Sequence, residues 1–435
     1  MKRRFAAILF LVLALLSSVV IVYVLRGEQS SREGKLYPFQ PEDISTLDIV
    51  SPEQRSRLTY EDGMWSLVAP VRDIADRDLM LRIFGVLHSE KWPSTAGLIT
   101  DSNLDELGLA QPDLELWLHR KSAVDTLRFG NLDASTQKLW ASASWTDSLL
   151  QVPTLLRTHF LRNRYDLTDK RPVLIERALD VHSLQVENAY GAYVLRRNDF
   201  GWEILAGDVF PADQIKVLGL LTTMSGASIL DFLDGEGPRP LDLVDSSPLA
   251  TLELYLEGET VPERLNIGRH FHQLYLSSNP RRGSPFLLDS LVCAPLFSPL
   301  TAYLPDKLFE IIPGRVEWIA SGRHRVERAE GPEQVWMDEH GERFELRRLS
   351  QIIAFLSEIS TGMVEALRPR QDQLLQWGFH EPETVITFAE RGRDLCLEIG
   401  SPRDGRRYFR RLDYPIVYSL PQEALVLRWP AAQVH

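Results

Sequence analysis

Leu104 to Arg120 reads LDELGLAQPDLELWLHR, a glycine-proline turn running into a stretch that alternates leucine with polar side chains. Leu114, Leu116 and Leu118 share one face at the period of a β-strand. The turn returns as LLQWGFHEP at Leu374 to Pro382, and in altered form as LDLVDSSP at Leu241 to Pro248, where Val244 stands in place of Gly108 and Gly378. TLELYLEG follows the altered turn and repeats the alternation with Leu252, Leu254 and Leu256.

Two further markers keep step with these turns. Trp65, Trp202 and Trp336 each follow a short polar or glycine-containing turn (EDGMW, NDFGW, GPEQVW), at separations of 137 and 134 residues. Strands closing on glycine recur as LRFGN at Gly130, LNIGR at Gly268 and LEIGS at Gly400, at separations of 138 and 132 residues. A weaker echo relates YDLTDK (Tyr165 to Lys170) to YLPDK (Tyr303 to Lys307). Three markers in one order at one period predict an internal duplication, and a period far beyond the roughly 20 to 50 residues of a solenoid makes each copy a small domain. The copies are expected at 44–175, 176–311 and 312–435, the last shortened at its end.

Each copy opens with an alternating strand (STLDIVS, HSLQVEN, GRVEWIA) and a second strand before the Trp, a hairpin start. Helical spacing follows at Leu79, Ile83, Val86 and Leu87, at Val217, Leu218, Leu221 and Met224, and at Leu349, Ile352, Ile353, Leu356 and Ile359. Asp73 and Asp76 are available to cap the first helix, and Pro211 suits the first turn of the second. More short strands complete the copy, so the fold class is α+β: β-rich units, each with a helix on one face of a mostly antiparallel sheet.

This order of markers resembles the family known as domain of unknown function 4340. GLAQP (Gly108 to Pro112) and GFHEP (Gly378 to Pro382, with Phe379 for Leu) match its GL-x-x-P segment, and Phe129-Gly130, Ile267-Gly268 and Ile399-Gly400 match its hydrophobic-glycine pairs. The middle copy departs at Val244. The resemblance implies one N-terminal membrane helix and an accessory envelope role, since many members are encoded beside ABC-transporter subunits of the gliding-motility kind. It implies no catalytic residues.

The N-terminus agrees with that implication on independent grounds. Phe5 to Leu25 (FAAILFLVLALLSSVVIVYVL) has no charge in 21 residues, about 31 Å as a helix and long enough to span a bilayer core. Lys2, Arg3 and Arg4 precede it, which orients the N-terminus to the cytoplasm and the bulk of the chain to the periplasmic side of a bacterial inner membrane. A cleaved signal peptide is the alternative, but the apolar run is longer than usual for one and its exit, VYVLRGEQ, lacks a small-x-small site. No Cys follows the run, which excludes a lipoprotein anchor. Residues 1–26 are thus expected to be a single-pass anchor in contact with membrane lipid, and 27–43 a polar tether.

A net charge of -12 argues against a nucleic-acid partner, because phosphate neutralisation needs a basic face. Cys293 and Cys396 are the two cysteines; they read as small buried hydrophobes, with a disulfide as the alternative. Walker, HExxH, GxSxG, GxGxxG, CxxC and EF-hand patterns are absent from the sequence, so no catalytic residue, cofactor or metal is expected. His270 and His272 in RHFHQ sit two apart on a strand and would share a face, but two ligands are too few for a stable metal site and a surface role is the plainer reading. Arg323 to Arg328 and Arg403 to Arg411 are either solvated faces or contacts for an anionic glycan or lipid headgroup. The three recurrent Trp residues are either core or a carbohydrate platform, and recurrence at one position favours core.

Three functions follow in order. The first is a non-enzymatic scaffold or interaction subunit of an envelope complex with other envelope or ABC-transporter proteins. The second is a tethered binding module for a glycan, lipid or solute, and the third an envelope hydrolase. A binding module should show a concave site between copies, lined with aromatic and Arg side chains; a hydrolase should show converging titratable groups.

Overall fold

A computed structural model describes residues 36–89, 95–100, 104–233, 244, 247–329, 335–390 and 392–424. The apolar run at 5–25 and the tether up to Lys35 lie outside the described residues. The expected tether does not reach Asp43: Leu36 and Tyr37 are buried in the first unit's core, with Tyr37 N donating to Leu87 O at 3.0 Å, because these two large side chains give the segment apolar area to bury. None of the described helices is long and apolar enough to cross a membrane. The chain divides into two compact units, 1–171 with 228–241 and 278–287, and 172–227 with 242–277 and 288–435.

The protein is α+β, dominated by three large antiparallel sheets. The first is built from β1 (Ile44–Val50), β2 (Arg55–Glu61), β3 (Met64–Ala69), β4 (Asp73–Ile74), β5 (Thr95–Leu98), β6 (Leu114–Arg120), β7 (Ala123–Asp133), β8 (Lys138–Ala143) and β9 (Thr146–Pro153). Its order is β4-β3-β2-β1-β6-β7-β8-β9-β5.

The second comprises β10 (Val181–Asn188), β11 (Gly191–Asn198), β12 (Gly201–Leu205), β13 (Val209–Pro211), β14 (Asp231–Phe232), β15 (Ala250–Leu256), β16 (Glu263–Phe271), β17 (Leu274–Ser278) and β18 (Phe286–Asp289). Its order, β13-β12-β11-β10-β15-β16-β17-β18-β14, repeats the first strand for strand.

The third has β19 (Val316–Ser321), β20 (His324–Arg328), β21 (Trp336–Asp338), β22 (Met363–Leu367), β23 (Thr384–Glu390), β24 (Arg393–Ile399), β25 (Arg406–Arg411) and β26 (Ile416–Pro421). Its order, β21-β20-β19-β23-β24-β25-β26-β22, differs from the others by one strand next to the helix.

Register extends the likeness. In all three sheets the opening strand carries a bulge at the same place against its neighbour: Ile44/Thr46 on β6, Val181/Ser183 on β15 and Val316/Trp318 on β23. The extra residue re-aims everything after it, so Leu47, Leu184 and Ile319 all turn into the core.

Helices occur at the predicted places: α1 (Arg77–Ser89), α2 (Gln214–Ser225) and α3 (Leu346–Glu358). In the first unit α1 buries Leu79, Met80, Ile83, Phe84 and Leu87 in one cluster with Leu47, Ile49, Leu58, Leu67, Leu114, Leu116, Leu118 and Phe129 of the sheet. Truncating one such side chain to Ala costs about 2 to 5 kcal/mol.

Two capping expectations need correction. Asp76 does cap α1, accepting from Leu79 N at 2.8 Å, but Asp73 lies on β4, where its carboxylate is consumed by a buried ion pair. At α2, Pro211 ends β13 and the cap is Asp213, which accepts from Ile215 N at 2.8 Å and Lys216 N at 3.0 Å. A short polar side chain two residues past the proline reaches the orphan amides, which proline itself cannot do.

The glycine markers prove to be halves of one contact. A Cβ on Gly130 would lie 2.3 Å from Leu107 O, and one on Gly400 would lie 2.0 Å from Trp377 O, in each case the carbonyl just before the marker glycine of the turn. Gly108 and Gly378 need a left-handed backbone, with φ +72° and +80°. In the middle copy Gly268 meets the Val244 side chain instead, at 2.9 Å. The lysine echoes also recur in space: Leu167 O accepts from Asp76 N at 2.9 Å, and Tyr303 O from Asp213 N at 2.7 Å, each tying the return chain to a helix start.

Candidate functional site

A turn, a linker and two hairpins of the second unit surround a cleft of about 570 Å³, within the range of small-ligand and peptide sites. The turn joins β11 to β12. Asn198 accepts from Phe200 N at 2.8 Å, which folds the turn back and leaves Phe200 61 % exposed. Trp202, the next strand residue but one, is 7 % exposed and lines the same cleft.

The linker Pro305 to Ile312 forms the floor. It is held by backbone bonds from Leu308 N to Ile359 O (2.9 Å) and by Ile312 N donating to the Glu390 carboxylate (2.8 Å). Phe309 is buried, whereas Lys307 and Glu310 are exposed.

The far wall is cationic and aromatic. Arg411 donates to Asp413 Oδ1 at 2.9 Å and to Leu308 O at 2.9 Å, with its guanidinium 4.9 Å from the Phe309 ring and 4.8 Å from the Tyr414 ring. Hydrogen bonds and cation-π contacts together remove most of its freedom. Arg393 shares Asp413 at 3.6 Å and lies 4.6 Å over Phe200. The cleft therefore offers aromatic faces beside fixed guanidiniums. Of its carboxylates, Glu203 is occupied by Arg196 and Asn198, and Glu390 by the linker amide.

The singled-out residues fall in several places. Trp65, Trp202 and Trp336 occupy the third strand of their sheets; Trp202 and Trp336 are buried and Trp65 packs partly buried on the core of the first unit. Trp202 thus serves both the core and the cleft. Strand β16 stops at Phe271 and His272 sits in the turn with φ +56°, so the alternation that would align it with His270 does not run through; the His270 side chain lies outside the described residues. Among the described residues no three His, Cys, Asp or Glu side chains converge as metal ligands.

Cys293 and Cys396 are both free thiols. Burial pushes the Cys293 thiol up to about 12, so it is protonated and inert at neutral pH. In the Arg403 to Arg411 run, Arg403, Arg406, Arg407, Arg410 and Arg411 each lie beside an acid. Arg325 pairs with Glu327 and covers Trp318 at 4.4 Å.

Sequence reasoning flagged Arg411 and Trp202 but missed Phe200, Arg393, Asp413 and Tyr414. Phe200, Asp413 and Tyr414 sit in hairpin turns and Arg393 is the first residue of β24 just past one, where side chains have no period to betray them. An exposed aromatic in the NDFGW turn was the one available signal.

Residues 86–246 match the family model of the domain of unknown function DUF4340. The DUF4340 segment starts within α1 and ends just before β15, so it takes the later part of the first sheet's chain and the earlier part of the second's. It leaves out β1 to β4 and the whole of the third sheet. The search of curated proteins and that of solved structures each gave no match.

Proposed function

We propose that this protein is a membrane-anchored, extracytoplasmic interaction subunit of an envelope complex, accessory to an ABC-type transporter, and that the cleft of the second unit receives a segment of its partner. In this reading residues 1–26 are the inner-membrane anchor, 27–35 the tether, and 44–175, 176–311 and 312–435 three tandem copies of one non-catalytic unit, the first of them extended by the buried Leu36 and Tyr37. The charge-free run Phe5 to Leu25 supports the anchor. The shared strand order and shared bulge support the duplication.

The cleft carries the functional part of the proposal. Its exposed Phe200, the rigid Arg411 and Tyr414 pair and the mixed charge of Lys307 and Glu310 suit an amphipathic occupant better than a purely apolar one. The same aromatic and guanidinium lining favours a second reading, a glycan or solute module. A photo-crosslinking amino acid at Phe200 of the full chain in its native membranes separates the readings. Capture of a membrane protein at Phe200, and none from the same probe at exposed Leu155, is the expected result. Equal capture at both positions, or release of a mature chain lacking residues 1–25 into the soluble envelope fraction, defeats the proposal.

A further inference from the structure

The outer face of the first sheet carries a cationic cluster that its own fold does not require. Asp48 on β1 points away from the core, between Arg57 of β2 and Trp117 of β6. Its carboxylate is fully buried and accepts from Arg57 Nε (2.7 Å), Arg57 Nη2 (2.8 Å) and Arg55 Nη2 (2.9 Å), with His119 Nε2 at 3.2 Å. Arg55 also lies 4.7 Å over the Trp117 ring.

Two guanidiniums that stay charged at any working pH thus share one carboxylate, leaving at least one positive charge in excess. Both remain open to solvent, with side-chain exposures of 47 % for Arg55 and 41 % for Arg57. Their outward N–H groups, Arg55 Nε and Nη1 and Arg57 Nη1, meet no protein acceptor among the described residues. Asp48 and Trp117 hold the two forks side by side, a preorganised arrangement for an oxyanion.

The sister sheets show that this cluster is not structural necessity. At the register position of Asp48 the second sheet has Gln185, facing Val194 and Glu253, and the third has Ala320, facing Arg325 and Thr387. At this position neither sister sheet places a carboxylate, yet each forms the shared core of the strand order. Burying a carboxylate has a desolvation cost, and here it fixes two cations at the surface.

We propose that Arg55 and Arg57, oriented by Asp48 and Trp117, bind a phosphate group. The full chain in neutral detergent, titrated calorimetrically with inorganic phosphate, reports free phosphate. Hydrogen exchange of β2 in nanodiscs of phosphatidylcholine, with and without phosphatidylglycerol, reports a lipid headgroup. Binding in either arm is expected to weaken by roughly tenfold in Arg55→Gln, and less in Arg55→Lys. Arg57 still holds Asp48 bidentately in both variants, and an unchanged melting temperature would verify the fold. Silence in both arms, or binding that Arg55→Gln leaves intact, overturns the site.

Discussion

The first and second sheets share strand order, bulge position and core-facing pattern, yet their outward faces differ at the centre. In the first, Asp48, Arg55, Arg57, His119 and Trp117 form a linked charged cluster. In the second, Gln185 and Val194 occupy the matching centre. The inward face answers to close packing, where one wrong volume is felt throughout; the outward face answers only to water and partners. Duplicated units can therefore keep one fold while their surfaces acquire separate tasks, and the contrast can be tested from both sides.

The largest effect is expected at the buried ion pair of the first unit. Asp73 accepts from Arg282 Nη1 at 3.0 Å and from Arg164 Nη2 at 3.3 Å, and the Asp73 and Arg282 side chains are both fully buried. Arg282 Nη1 also donates to Asp169 O at 2.8 Å. Arg282→Met should cost about 3 to 5 kcal/mol in urea denaturation, since it leaves the buried carboxylate with only the longer Arg164 pair to balance its charge; a loss below about 1 kcal/mol would mean Arg164 or water takes over.

Next come the marker glycines, which should rank by what the added methyl meets. Gly400→Ala drives a Cβ into the Trp377 carbonyl at 2.0 Å, whereas Gly268→Ala meets the Val244 side chain at 2.9 Å. Roughly 3 kcal/mol for the first and roughly 1 kcal/mol for the second are expected from thermal melts. Equal costs would show that the middle copy is no more forgiving than the others.

A pH series probes the outward cluster. Burial raises the Asp48 carboxyl, but hydrogen bonds from Arg57, Arg55 and His119 outweigh it and hold the group down at about 2. A folded value below the unfolded one stabilises above the unfolded value and is lost as pH falls through the folded one. Between pH 4 and 2 the wild type should therefore lose about 2 kcal/mol that Asp48→Asn, already without it, does not lose. Parallel acid profiles would remove Asp48 from the account.

The smallest effect concerns the thiols. Cys293 is fully buried and Cys396 partly exposed, so a small alkylating reagent at neutral pH should label Cys396 first and Cys293 only on unfolding. Labelling of Cys293 at the faster rate would show that its surroundings open readily.

How legible each feature was follows from its physics. Helix faces such as Leu349, Ile352, Ile353 and Leu356, all buried, were readable because a 3.6-residue period is written along the chain. Leu114, Leu116 and Leu118, also fully buried, were readable for the same reason at period two. Asp73 misled because a β4 residue and a helix cap look alike until Arg282, 209 positions away, is brought to it.

The sequence by itself determined the α+β class, the recurring turns and the strand and helix faces, because local backbone preference and hydrophobic period act over a few residues. Only the tertiary structure decided that Gly130 closes on Leu107, that Asp48 gathers two arginines, and that Phe200, Arg393 and Tyr414 border one cleft. Those partners are set by strand order and by the ends of hairpins, and contacts between distant segments leave no period in the chain that makes them.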